Sequence, residues 1–85
     1  MSNLKLEFFY YDACPFCQRV KSIISDLNIK LDYCDISTDN ASLERLMTDT
    51  GRRTVPCLYI NNKPMFESAD IANWLKDNVE KLEKN

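Results

Sequence analysis

The stretch LKLEFFYYDACPFCQRVKSIISDL, Leu4 to Leu27, decides the fold. Its first part, Leu4 to Tyr11, reads as a strand. Leu4, Leu6, Phe8 and Tyr10 alternate, and the run closes on four aromatics, as in a central strand buried on both faces. Asp12 and Ala13 make a short connection. After Cys-Pro-Phe-Cys at Cys14 to Cys17 the period changes: Val20, Ile23, Ile24 and Leu27 fall at the i, i+3, i+4, i+7 spacing of a helix. Pro15 suits that helix's first turn, where its missing N–H costs nothing. Two thiols therefore sit where a strand hands over to a helix.

Downstream, Leu31 to Ile36 reads as a second strand. Asp39 or Asn40 can cap a second helix with Leu43, Leu46 and Met47 inward, and Gly51 ends it. Val55 to Ile60 is a third strand, with Pro56 near its start. Asn61 and Asn62 make a tight hairpin turn, and Lys63 to Phe66 returns as a short fourth strand. Ser68 is the expected N-cap of a last helix, with Asp70 in its first turn and Ile71, Trp74, Leu75, Val79 and Leu82 inward. The Lys/Glu-rich tail after Val79 reads as a solvated helix end. The predicted order is β-α-β-α-β-β-α: a right-handed parallel crossover followed by an antiparallel hairpin. That is an α/β fold, a four-stranded mixed sheet flanked by three helices, with one domain expected over residues 1–85.

Composition narrows the chemistry. The chain has no histidine, one glycine and four cysteines. Without histidine, Ser-His-Asp and Cys-His nucleophile pairs and the HExxH and C2H2 zinc motifs are excluded. One glycine excludes P-loop and GxGxxG phosphate cradles. The chain is 45% hydrophobic with a formal charge of −2, so a core is available and no basic field invites nucleic acid or an anionic membrane. No apolar run is long enough to span a bilayer, and charges interrupt any signal-peptide core near Met1. The expected compartment is the cytoplasm, where thiols stay reduced. Four cysteines there suggest redox chemistry or a metal before a disulfide framework.

At a helix N-terminus, unpaired N–H groups and the helix dipole favour a Cys14 thiolate. Cys17, one turn further in, can form a disulfide with it. Cys14 is expected as the exposed nucleophile and Cys17 as the resolving thiol. Zinc would need a second closely spaced pair, whereas Cys34 and Cys57 stand alone in separate strands, so no metal is expected.

With CPFC at 14–17, GRRTVP at 51–56 and FESADI at 66–71, the chain resembles the glutaredoxins of the thioredoxin-fold superfamily over nearly its whole length. The resemblance implies a glutathione-dependent thiol–disulfide oxidoreductase, expected to act as a monomer on glutathionylated or disulfide-bearing proteins. Glutathione is the implied co-substrate. Pro56 is implied to be cis, leaving the Val55 backbone to pair with glutathione like a strand. Thr54 belongs to the same block. Cys34 and Cys57 are then packing thiols, with the first strand between theirs, so they are not expected to form a disulfide.

Three departures from the family pattern stand out. Phe66-Glu67 replaces the usual Gly-Gly, and Glu67-Ser68 looks like the glutathione-binding signature of glutathione transferases. The helix N-terminus at Ser68 suits a γ-glutamyl carboxylate and Glu67 an ammonium; alternatively Ser68 is only a cap and Glu67 only a solvated charge. Tyr11 stands where most members carry lysine, and it either donates a hydrogen bond or packs. Arg52 or Arg53 is the replacement cation for the glycine carboxylate. Phe16 replaces a tyrosine and can still cover the site. Three alternatives stay open: a thioredoxin-like electron donor recharged by a flavoprotein, a carrier of a glutathione-ligated 2Fe–2S cluster, and a module that binds glutathione without turnover.

Overall fold

A computed structural model describes residues 4–84. The signal-peptide reading reaches back to Met1–Asn3, which lie outside the described residues. The elements are β1 (Leu6–Tyr10), α1 (Pro15–Asp26), β2 (Asp32–Asp35), α2 (Asn40–Thr50), β3 (Cys57–Ile60), β4 (Lys63–Met65) and α3 (Ser68–Asn78), followed by a 3-10 turn at Val79–Lys81. The sheet order is β2-β1-β3-β4. β1 runs parallel to β2 and antiparallel to β3, and β3 and β4 form a hairpin. This is the expected thioredoxin-like arrangement of four mixed strands and three helices.

The pleat of β1 divides the core. Leu6 and Phe8 pack with Val20 and Ile24 of α1 and with Ile71 and Leu75 of α3. Phe9 points the other way and packs with Leu46 of α2 and with Cys57 and Tyr59 of β3. Phe8 and Phe9 are both fully buried. Burying such a side chain is worth roughly 1.5–3 kcal/mol. A strand carrying adjacent aromatics on opposite faces thus holds a helix layer on each side of the sheet.

The β3–β4 turn is pinned from β1's side. Asn61 and Asn62 both have positive φ, 50° and 71°, as a two-residue hairpin loop of this hand requires. The Lys5 N–H donates to Asn61 Oδ1 at 2.8 Å, and the Asn61 N–H donates to the Lys5 carbonyl at 2.9 Å. Lys5 therefore sits just ahead of β1, which begins at Leu6 rather than Leu4.

Several expectations need correction. β3 begins at Cys57, not Val55, because Pro56 has no N–H to give the ladder. Met47 is exposed; Ser42 and Leu46, one turn apart, are the buried positions of α2, with Leu43 beside them. Met47 lies about 100° around the helix from Leu46 and so turns to solvent. Ser68 is the first residue of α3, not its cap; Glu67 occupies the cap position without a side-chain capping bond. α3 stops at Asn78, and Leu82 reaches the core from beyond the 3-10 turn. The tail is not a solvated helix end. The Lys30 N–H donates to the Glu83 carbonyl at 2.9 Å, Lys84 pairs with Ile29, and the Lys84 ammonium donates to the Val79 and Leu82 carbonyls. Buried Leu82 anchors this docking.

Candidate active site

Cys14 is the N-cap of α1, in extended backbone conformation, with Pro15 as the next residue. Its Sγ accepts the Cys17 N–H at 3.4 Å. That is one of the helix's orphan donors, aimed at sulfur as the sequence suggests. Cys17 is fully buried, and its thiol is pushed up to about 12, first by burial and then by its hydrogen bond to Cys14. A Tyr11 backbone hydrogen bond pulls the other way. Cys17 therefore keeps its proton at neutral pH. Cys14 is not the exposed sulfur expected: the residue is only 4% accessible, while Phe16 beside it is 58% accessible. The first-turn geometry that aims the Cys17 N–H at Sγ also packs Cys14 into the α1–α3 core.

The connection ahead of Cys14 is held from α1. The Cys14 N–H donates to the Tyr11 carbonyl at 3.1 Å. Gln18 Nε2 donates to the Asp12 carbonyl at 2.9 Å, and Lys21 Nζ lies 3.5 Å from Asp12 Oδ1. Lys21 also sits 4.7 Å from the Tyr10 ring centroid and 5.6 Å from that of Tyr33. Gln18 and Lys21 were not singled out from sequence. Their signal is spacing: four and seven residues after Cys14, they recur on the helix side that faces the loop.

A cleft of about 140 Å³ opens beside Phe16, lined by Phe16, Thr54, Val55, Pro56, Glu67 and Ser68. All six are residues that the resemblance marked for glutathione. The Val55–Pro56 peptide is cis. Val55 packs against both core clusters, which ties this corner to the dithiol on one side and to α2 on the other. Glu67 has φ 72°, so the chain makes its glycine-type turn without glycine. Its carbonyl accepts the Ile71 N–H at 2.9 Å and starts α3.

Two predicted residues are not brought into this lining. Tyr11 is 37% accessible and meets the dithiol through its backbone. Arg53 is exposed and lies outside the lining. Arg52, its alternative, stacks on Phe66, with the guanidinium carbon 4.3 Å from the ring centroid. Cys57 is fully buried, its thiol pushed up to about 12 by burial. Burial also raises the Cys34 thiol, which is partly accessible. Phe9 pairs with Cys34 on one side and Cys57 on the other, so the two lie about 9–10 Å apart across two strand spacings, beyond disulfide reach. Among the described residues no group of three or more His, Cys, Asp or Glu side chains gathers to hold a metal.

Residues 6–65 match the family model for glutaredoxin. A chloroplastic glutaredoxin-C4 of Oryza sativa subsp. japonica is 42% identical over 53 residues, 59% of this chain and 40% of that protein. A probable glutathione S-transferase of Nicotiana tabacum is 31% identical over 80 residues, 94% of this chain and 35% of that protein. The chain thus spans less than half the length of either relative. In fold it is similar to a buckwheat glutaredoxin–glutathione complex, with a TM-score of 0.69 at 24% identity over 89% of this chain and 72% of that one. The family match covers most of the chain, from the first strand through the dithiol helix to the β3–β4 hairpin, and on that ground the chain belongs to the glutaredoxin family.

Proposed function

We propose that this chain is a glutathione-dependent thiol–disulfide oxidoreductase acting on protein–glutathione mixed disulfides and protein disulfides. One observation carries the reading. A helix-capping Cys14 is hydrogen-bonded by Cys17, and the cleft beside Phe16 is walled by cis Pro56 and by Glu67-Ser68 at the start of a helix. Backbone donors and a helix N-terminus suit an extended peptide with a terminal carboxylate. The buckwheat complex supports glutathione as that peptide. The formal charge of −2 favours small-molecule and protein partners over nucleic acid. A cytoplasmic monomer with no membrane partner completes the proposal.

In the proposed cycle the Cys14 thiolate attacks the glutathione sulfur of a mixed disulfide. The bond to the substrate protein breaks, and that protein leaves as a thiolate and takes a proton from water. Glutathione is then disulfide-bonded to Cys14. A second glutathione thiolate attacks the bound glutathione sulfur, releases oxidised glutathione and restores Cys14. Alternatively Cys17 loses its proton and attacks Cys14 Sγ, expelling glutathione and forming a Cys14–Cys17 disulfide that two further glutathiones reduce.

The test compares two electron sources: glutathione with glutathione reductase, and thioredoxin reductase alone. Turnover of a glutathionylated peptide with the first supports the proposal. Turnover only with the second assigns a thioredoxin-like donor instead. Cys14→Ser loses all activity. Cys17→Ser keeps deglutathionylation and loses reduction of protein disulfides.

A further inference from the structure

The Phe66–Glu67 turn takes a backbone shape that favours glycine and is made without one. Glu67 holds φ 72° and ψ 117°, a region that L side chains rarely adopt. Such a conformation persists only where the surroundings over-determine it. On the C-terminal side the constraint is α3, begun by the Ile71 N–H on the Glu67 carbonyl and anchored by fully buried Ile71. On the N-terminal side it is Phe66. Its half-buried ring packs against the cluster of Phe9, Ile36, Leu46, Cys57 and Tyr59 and carries the Arg52 guanidinium on its face at 4.3 Å.

Arg52 is itself held. Gly51 turns the chain out of α2 at φ 74°. The Thr50 hydroxyl, 2.7 Å from the Leu46 carbonyl and 3.0 Å from that of Arg52, accepts the Arg52 N–H at 3.3 Å. The end of α2 is thus tied to the entrance of α3 through one stacked pair. Arg52 does not line the cleft, whereas Glu67 and Ser68 do.

We propose that Arg52 is a positioning residue for the cleft: stacked on Phe66, it holds the Phe66–Glu67 turn in the shape that presents Glu67 and Ser68 to glutathione. This rests on the glutathione reading above. Arg52 then acts through Phe66 and not as a cation touching the ligand. Glycine would take this turn unaided, whereas Glu67 needs its flanks held.

The test is a double-mutant cycle on glutathione-coupled turnover of a glutathionylated peptide. Arg52→Ala raises KM about three-fold with kcat unchanged, the scale of an exposed cation–π contact. Arg52→Lys, which keeps a cation over the ring, recovers part of the loss. Phe66→Leu raises KM comparably, and the double variant is no worse than Phe66→Leu alone. Additive losses would mean that Arg52 contacts the ligand directly and would overturn the proposal, as would an unchanged KM in Arg52→Ala. Urea unfolding supplies a second cycle that needs no glutathione. Glycine takes positive φ unaided, so Arg52→Ala lowers the midpoint less in a Glu67→Gly background than in the parent. Equal losses in both backgrounds overturn the clamp. A wild-type protein inactive with glutathione defeats the proposed function, while the urea cycle still decides what Arg52 does.

Discussion

Cys17 and Cys57 are buried thiols of the same chemistry in different surroundings. Burial raises both thiols, and at Cys17 a hydrogen bond with Cys14 adds to it. Both are raised from an ordinary 9.0 to about 12, so the folded chain binds these protons more tightly than the unfolded chain does. Their contribution to stability is complete below pH 9.0 and is lost as pH climbs toward about 12. Each thiol that must stay protonated adds a slope of about 1.4 kcal/mol per pH unit in that window. Urea unfolding of the reduced protein at stepped pH values should show this decline. Cys57→Ala lowers stability overall but removes its share of the slope; an unaltered slope would contradict the burial argument. Tyr59, raised by burial and by its hydrogen bond to Asp49, steepens the decline at the alkaline end.

Among the elements, α2 shows how one residue can end a helix. Gly51 is the C-cap at φ 74°, its N–H donating to the Met47 carbonyl at 2.8 Å. A Cβ built there meets nothing within 4 Å. Any loss in Gly51→Ala is therefore conformational and not steric, and should come to about 1 kcal/mol, the cost of left-handed backbone for an L residue. Thermal unfolding measures it, and Gly51→Asn should lose less, because asparagine tolerates this region. A loss of several kcal/mol would show that the turn carries more than its dihedral. The same stop signal places Arg52 over Phe66, so the variant also reports on the clamp.

In the molecule as a whole, α2 is bound to the sheet by one charged strut as well as by Leu46. Arg45 Nη1 donates to Glu7 Oε2 at 2.6 Å, Nη2 donates to Asn62 at 2.9 Å, and Nε lies 3.7 Å from Asp49. The guanidinium also lies 4.4 Å from the Tyr59 ring centroid. Glu7 is nearly buried in β1, and its Oε1 has no hydrogen-bond partner. Removing the arginine strands a carboxylate between sheet and helix. Arg45→Met should cost about 3 kcal/mol, the low end for breaking a buried pair because the arginine is one-third exposed. Adding Glu7→Leu should restore most of it, since the stranded charge is then gone. If the double variant is no better than the single one, the strut is worth more than its charge balance.

The order of elements, the dithiol and its place at the strand–helix junction were legible from sequence, because they rest on local periodicity and on the chemistry of single positions. So were the hairpin at Asn61-Asn62 and the stop at Gly51, where backbone preference needs no distant partner. The residues that tertiary structure decided are those whose partners lie far along the chain. Glu7 carries no signal of its partner in the sequence; α2 brings Arg45 to it. Lys84 reads as solvated until Leu82 docks the tail beside Ile29. Cys14 reads as exposed until the fold packs it into the core cluster shared by α1 and α3. Arg52 is one of two equivalent cations in the sequence, and only the packing of Phe66 distinguishes it from Arg53. Periodicity assigns a side chain to a face; what waits on that face is set by the contacts of the folded chain.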